Sequence, residues 1–161
     1  MPLHTIPVAR GWFSAPGPSP IGFCFDGLRA CNIGARSYSG PMCESSSAPE
    51  VTLTLALSRR SRVSAVDIFA PGRVDRRGVS PTWLPPLEVR VGDTADWASG
   101  RPCAYLDADA VAHESIGEEL VLFAVPCAGT GAYVSVRLVG EPRPMQICEV
   151  QVLGEHGSPP P

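Results

Sequence analysis

The segment Val51-Thr52-Leu53-Thr54-Leu55-Ala56-Leu57 alternates large aliphatic residues with small or polar ones without a break. Successive side chains of an extended chain point to opposite faces, so a two-residue period specifies a strand with one buried face. The pattern recurs. Leu87-Glu88-Val89-Arg90-Val91 alternates and stops at Gly92-Asp93, a turn pair. Tyr133 to Leu138 sets Val134, Val136 and Leu138 on one side, and Ile147 to Leu153 does the same with Cys148, Val150 and Val152. Val63 to Phe69 reads as a further strand, and Leu120 to Val125 is apolar on both faces, as in a central strand. Stretches rich in Gly, Pro, Ser and Asp separate these runs at Ala70 to Pro86, Asp93 to Pro102 and Ala128 to Gly131, and read as loops. Ala108 to Glu119 has room for one helical turn, interrupted at Gly117. Short sequential strands of this kind predict two antiparallel sheets packed face to face, an all-β sandwich. The stretch from Ser14 to Pro49 has weak periodicity and is expected to be loop-rich.

A chain of 161 residues with 44% apolar residues suits one domain with a sizeable core. The expected boundaries are 1–155, followed by a proline-rich tail or linker over 156–161. Only 18% of residues are charged, which is not the composition of a disordered chain. The net charge of −3 speaks against nucleic acid as the main partner. All thirteen basic residues are arginine, a bias of composition before it is a functional choice. No run is apolar and long enough to span a bilayer. Met1 to Pro20, broken by prolines, is not a recognisable signal peptide. The six cysteines include no C-x-x-C pair, which favours disulfides formed in an oxidising compartment over zinc or free thiols. Disulfides would place the chain outside the cell or at its surface; the lack of a visible signal leaves an intracellular assembly as the alternative.

The C-terminal third carries a resemblance. Gly131-Ala132-Tyr133-Val134-Ser135-Val136-Arg137-Leu138, followed by Met145-Gln146-Ile147-Cys148-Glu149-Val150-Gln151-Val152, resembles the "GRYV" strand and final "LCEVEV" strand of F-type (fucose-binding) lectin domains. Gly117 to Cys127 matches the family's "G…C" segment, with Cys103 at the partner cysteine, and Glu88 to Gly92 matches a strand ending in "VG". Phe25-Asp26-Gly27-Leu28 is similar to an "NDGN" turn, and Cys43 stands where the family has "CSHT". The resemblance covers roughly Pro7 to Leu153 and implies a jelly-roll sandwich of the discoidin-like type. It also implies two disulfides, Cys43–Cys148 and Cys103–Cys127, worth about 4 to 5 and about 3 kcal/mol in the chain-entropy model. Cys24 and Cys31 remain for a local pair around Asp26-Gly27, which the resemblance does not supply.

F-type lectins hold fucose with a histidine and two arginines, and arginine suits the task because its fork of donors meets hydroxyl acceptors in fixed geometry. Carried over, Arg73 and Asp75 match the family's arginine-x-aspartate, and Arg76 or Arg77 is the candidate for the second arginine, off the family spacing. The histidine position falls on Ser45, the vicinal cysteines of the family are replaced by Arg76-Arg77, and Trp83 offers an apolar platform for a sugar or a cap on the sandwich. The alternative for Arg59, Arg60, Arg62, Arg73, Arg76 and Arg77 is a solvated basic rim, or a surface that meets an acidic protein. The family also binds a structural calcium. The resemblance assigns it the carboxylates of Asp26 and Glu149 and backbone carbonyls near Phe23, Leu28, Met42 and Cys148, a hard oxygen set of the kind calcium takes.

His4, His113 and His156 lie outside any hydrolase or metal motif, and Asp107, Asp109 and Glu114 form an acidic loop. Nothing assembles a nucleophile, a base and an oxyanion site, so the chain is expected not to be an enzyme. The leading expectation is a lectin-like module that binds fucosylated glycan and holds structural calcium, with oligomers possible. The alternative is an assembly module that keeps the sandwich and meets a protein through its arginine loop.

Overall fold

The computed structural model describes residues 3–17, 43–75, 78–81, 84–108, 110, 114–116 and 120–155. The strands in chain order are β1 (His4–Ile6), β2 (Val8–Phe13), β3 (Cys43–Glu44), β4 (Thr52–Asp75), β5 (Gly78–Pro81), β6 (Leu87–Gly92), β7 (Arg101–Leu106), β8 (Glu114–Ile116), β9 (Leu120–Leu138), β10 (Gln146–Ile147) and β11 (Glu149–Glu155). All pairings between strands are antiparallel. The fold is the expected two-layer antiparallel sandwich of jelly-roll type.

The two strands expected at Val51–Leu57 and Val63–Phe69 are one strand, β4, which pairs with β9 along almost its whole length. Two irregularities bend this ribbon. Ala56 pairs with Tyr133 and Ser61 with Gly131, so β4 advances five residues while β9 advances two. A second shift falls between Val63 and Ala65. The bends let the same pair serve both layers. The first part of β4 lies between β2 and the Tyr133–Arg137 segment of β9, which continues to β6 and β7. The second part lies between β11 and the Leu120–Gly131 segment of β9, with β1 and β8 at the margins. Bulges add a residue to one strand and so reverse which face its side chains reach. Accordingly, Leu53, Leu55, Leu57 and Val63 face the core at odd positions of β4, and Val66, Ile68 and Ala70 at even ones. On β9 the buried set changes from Val121, Phe123, Val125 and Cys127 to Val134, Val136 and Leu138. Leu122 is half-buried and Ala124 exposed, so this segment buries one face and not both.

Several expectations need correction. The proposed loop from Ala70 to Pro86 begins as strand, because β4 runs on to Asp75 and turns back as β5. Within Ala108 to Glu119 the described residues hold β8 in place of a helical turn. Asp93 to Pro102 contains one 3₁₀ turn, Trp97–Ser99, capped by the Asp96 carboxylate, which accepts from the Ala98 N–H. The proline-broken start forms β1 and β2, joined at Pro7, which pair with β11 and β4. Short edge strands with one or two buried residues carry too little periodicity to be read from sequence.

Cys103 and Cys127 are bonded as expected, with Cα atoms 4.8 Å apart, tying β7 to β9. The expected Cys43–Cys148 bridge does not form, although both cysteines are disulfide-bonded. The register explains why. Cys43 pairs with Ile147 in the β3–β10 ladder, its Sγ 3.3 Å from the Ile147 carbonyl oxygen, and packs into the main core. Cys148 falls at the break between β10 and β11, where its N–H donates to the Phe69 carbonyl (2.7 Å) and its side chain packs with Phe69 and Leu122. Adjacent residues of an extended chain face opposite sides. The cysteines Cys24 and Cys31 lie outside the described residues.

Where β9 turns between layers, a Cβ on Gly131 would sit 2.3 Å from the Gly92 carbonyl oxygen. Gly131→Ala is expected to destabilise the fold by about 1 to 3 kcal/mol or more, as overpacking against immobile backbone does, read as a lowered urea midpoint with unchanged slope.

Candidate functional site

The ladder of β4 with β9 ends at Pro71 opposite Leu120. Beyond it, β4 and β5 continue as a hairpin that pairs Gly72 with Pro81, Arg73 with Ser80, Val74 with Val79 and Asp75 with Gly78. Arg73 and Asp75 therefore occupy one arm of a hairpin that outruns the sheet. The connecting Arg76 and Arg77, and Trp83 after the second arm, lie outside the described residues.

The chain returns to the sandwich at a firmly anchored point. Leu84 is buried, and Pro85-Pro86, joined by a cis peptide bond, leads into β6. Arg143 spans the gap to the neighbouring loop. Its guanidinium donates to the carbonyls of Leu84 (3.0 Å), Pro86 (2.8 Å), Val139 (2.8 Å) and Glu141 (3.0 Å). Burial lowers its pKa and the charge of Glu141 raises it; the net direction is downward, and the guanidinium stays protonated at any ordinary pH. The Val139 N–H donates back to the Pro86 carbonyl (3.0 Å), and Gly140 follows with φ of +92°, a conformation cheap only for glycine. Arg143 was not among the candidate residues. It lies between two prolines in a loop, and nothing local marks it.

Ser45, which stands at the family's histidine position, is placed inside the fold. It is 1% exposed. Its hydroxyl accepts from the Met145 N–H (2.8 Å) and donates to the Ser46 carbonyl (2.9 Å), while its own N–H donates to the Met145 carbonyl (3.0 Å). The residue clamps the β3 strand to the segment leading into β10, and its polar capacity is spent there.

The four clustered arginines among the described residues do not form one rim. Arg59, Arg60 and Arg62 lie at the bend of β4, and Arg73 lies past its far end. Ten residues of strand between Ser61 and Pro71 span about 30 Å.

Glu149 is 1% exposed on β11, opposite Phe69, so its carboxylate is buried and not solvated. Phe23, Asp26, Leu28 and Met42 lie outside the described residues. Among the described residues, no group of three acidic, histidine or cysteine side chains is placed to hold a metal ion.

A feature that sequence reading missed lies on the outer face of the β2–β4–β9–β6–β7 layer. The ring of Trp97 meets the guanidiniums of Arg90 and Arg137, 4.3 and 4.4 Å from the ring centroid. Arg90 donates to the Trp97 carbonyl (3.0 Å) and pairs with Glu88 (3.3 Å); Arg137 donates to the Thr52 hydroxyl (2.7 Å) and pairs with Glu50 (3.7 Å). Each cation–π contact contributes about 0.5 to 1 kcal/mol at such sites. These contacts fasten the Trp97 loop to the sheet. The alternation of Arg90 and Arg137 with core residues is the signal that places them on this face.

No protein-family model and no curated protein sequence matches the chain. Solved structures do. The fold is similar to that of an F-lectin (fucolectin) from the serum of striped bass, Morone saxatilis, with a TM-score of 0.65 at 20% identity, over 90% of this chain and 45% of that one. It is similar to a fucose-binding module of Streptococcus pneumoniae, with a TM-score of 0.64 at 19% identity, over 94% and 96% of the two chains. The lectin domain of lectinolysin, solved with Lewis B antigen, matches with a TM-score of 0.63 at 14% identity, over 91% and 92%. This chain thus spans under half of the bass lectin but nearly all of the other two. The architecture is that of F-type lectins and discoidin-like carbohydrate-binding modules.

Ser45→Ala leaves the buried Met145 N–H without its acceptor and is expected to cost about 1 to 3 kcal/mol, seen in urea or thermal unfolding. A substitution at Ser45 that folds normally but changes ligand binding contradicts this placement.

Proposed function

We propose that the chain is a carbohydrate-binding, lectin-like module whose sugar site lies at the β4–β5 hairpin, with Arg73 as principal donor and Asp75 orienting it. The observation that carries the reading is the hairpin itself. It bears the arginine-x-aspartate pattern and projects beyond a sandwich whose neighbours include a fucolectin, a fucose-binding module and a lectin domain seen with Lewis B antigen. Arg76 or Arg77 supplies the second cation and Trp83 an apolar face. The role is binding and not catalysis, in keeping with lectin and carbohydrate-binding neighbours. The disulfides favour an extracellular or surface location.

A structural calcium is part of the proposal. A buried carboxylate costs several kcal/mol unless charge and hydrogen bonds compensate it, and Glu149 is buried beside Cys148. With Asp26 and the carbonyls of Phe23, Leu28, Met42 and Cys148, it would form an oxygen shell that suits calcium and would tie the early loop region to the last strand.

A second reading, an assembly module that meets a protein partner through the arginine hairpin, is favoured by one observation. The position of the family's histidine holds a buried serine committed to backbone hydrogen bonds. A glycan array in calcium and in chelator separates the two. Fucosylated glycans are expected to bind, and Arg73→Ala to weaken them at least about tenfold, the loss of one charged donor; a silent array with tight association to one protein replaces the first reading with the second. For the metal, chelator is expected to lower Tm by about 5 °C or more, as loss of a ligand bound only by the native state does. Glu149→Gln is expected to remove that dependence. A melting curve indifferent to calcium and chelator rejects the site.

A further inference from the structure

The bend of β4 is unusual for a core strand. Three extra residues leave the ladder between Ala56 and Ser61, and the excursion carries Ser58, Arg59 and Arg60, all exposed. Its backbone is held. The Ser58 N–H donates to the Pro7 carbonyl (2.9 Å), and the Ser61 hydroxyl donates to the Arg59 carbonyl (2.9 Å). Arg62 follows, exposed, opposite Thr130. Arg101 arrives from β7, and its guanidinium donates to the Thr130 carbonyl (2.7 Å). Bulges that persist in a well-paired strand re-aim side chains, and here they aim cations into solvent.

All four arginines thus lie on segments that meet the Gly129-Thr130-Gly131 stretch of β9: Ser61, next to Arg60, pairs with Gly131, Arg62 pairs with Thr130, and Arg101 bonds the Thr130 carbonyl. The carboxylates beside them are Asp93, paired with Arg60 at 2.9 Å, and Glu155, paired with Arg62 at 3.4 Å. Both pairs are solvent-exposed and therefore weak. Arg59 has no ionic partner among the described residues. A local excess of cations on a chain of net charge −3 is a surface for an anion.

We infer that the β4 bend, with Arg59, Arg60, Arg62 and Arg101, is a second ligand site that takes an anionic polysaccharide bearing sulfate or carboxylate groups. Arginine forks match both anions, and a chain with anions at intervals can meet donors spread along a ridge. A protein partner fits less well, because stable protein interfaces have an apolar centre. The large exposed apolar residues among the described ones are Leu3, just before β1, and Tyr105, on β7, at the outer edges of the two layers. The choice of a polysaccharide rests on the carbohydrate-binding reading above; the site is separate from the hairpin, about 30 Å along β4.

The test uses the intact chain with heparin as the sulfated probe, polygalacturonate as the carboxylated one, and dextran and polyglutamate as controls. Binding of heparin or polygalacturonate, stronger than polyglutamate and absent for dextran, is expected, and whichever binds identifies the anion. The Arg59→Ala/Arg60→Ala/Arg62→Ala variant should bind about tenfold or more weakly, with a shallower dependence on salt concentration. Arg101→Ala, on a different strand, should weaken binding in the same direction, which keeps the test intact if the triple variant fails to fold. No binding to either polymer, equal binding to polyglutamate, or undiminished binding by the variants overturns the inference. Fucosylated-glycan binding without polyanion binding sinks this site alone; polyanion binding lost with the bend arginines, on a chain silent toward neutral glycans, sinks only the hairpin assignment.

Discussion

The pairing of β4 with β9 holds the rest of the molecule in place. Every other strand of the main sheet joins one of these two, directly or through a single intermediary. Because the ribbon bends at two bulges, its backbone hydrogen bonds continue from one layer into the other. The side-chain period reverses at the bends, so both halves turn their aliphatic faces to one interior. Gly131 belongs to this constraint, since its bare Cα is what allows β9 to pass against the Gly92 carbonyl.

On that frame the loops are fastened by arginine. Arg143 gathers four carbonyls at the return leg of the hairpin loop, and Arg90 and Arg137 meet the Trp97 ring over the outer sheet face. A planar, permanently charged fork offers five donors in fixed geometry, against the three of a lysine ammonium, and so can meet several carbonyls at once. The structure therefore divides the arginines by task. Those fixed on carbonyls or an indole hold loops; those at the β4 bend and along the hairpin are placed at opposite ends of one strand.

The sandwich was legible because its central strands bury one face and so leave a two-residue period in the sequence. Thr52–Leu57, Leu87–Val91 and Tyr133–Leu138 lie where alternation places them. The same rule failed at β1, β2, β7 and β8, which are edge or half-exposed strands. It also failed at Gly72–Pro81, where hairpin pairing makes strand out of loop-like composition. Cys103–Cys127 was legible through the resemblance. The bond from Cys43 was not, because register, set by the pairing of Cys43 with Ile147, decides which cysteine shares its face. Ser45 could be aligned with a ligand position, but its burial and its bonds to Met145 belong to the packed state.

The amino-acid sequence by itself determined the fold class, because hydrophobic periodicity is a local property that survives without knowledge of partners. It also carries the arginine-x-aspartate resemblance at Arg73 and Asp75, since such a motif is read from neighbouring residues. The tertiary structure alone decided which arginines are spent on backbone carbonyls and which remain on the surface. It alone set Arg59, Arg60 and Arg62 apart from Arg73, because a bulge and a register shift are set by the opposing strand, which has no signature in the strand that bends.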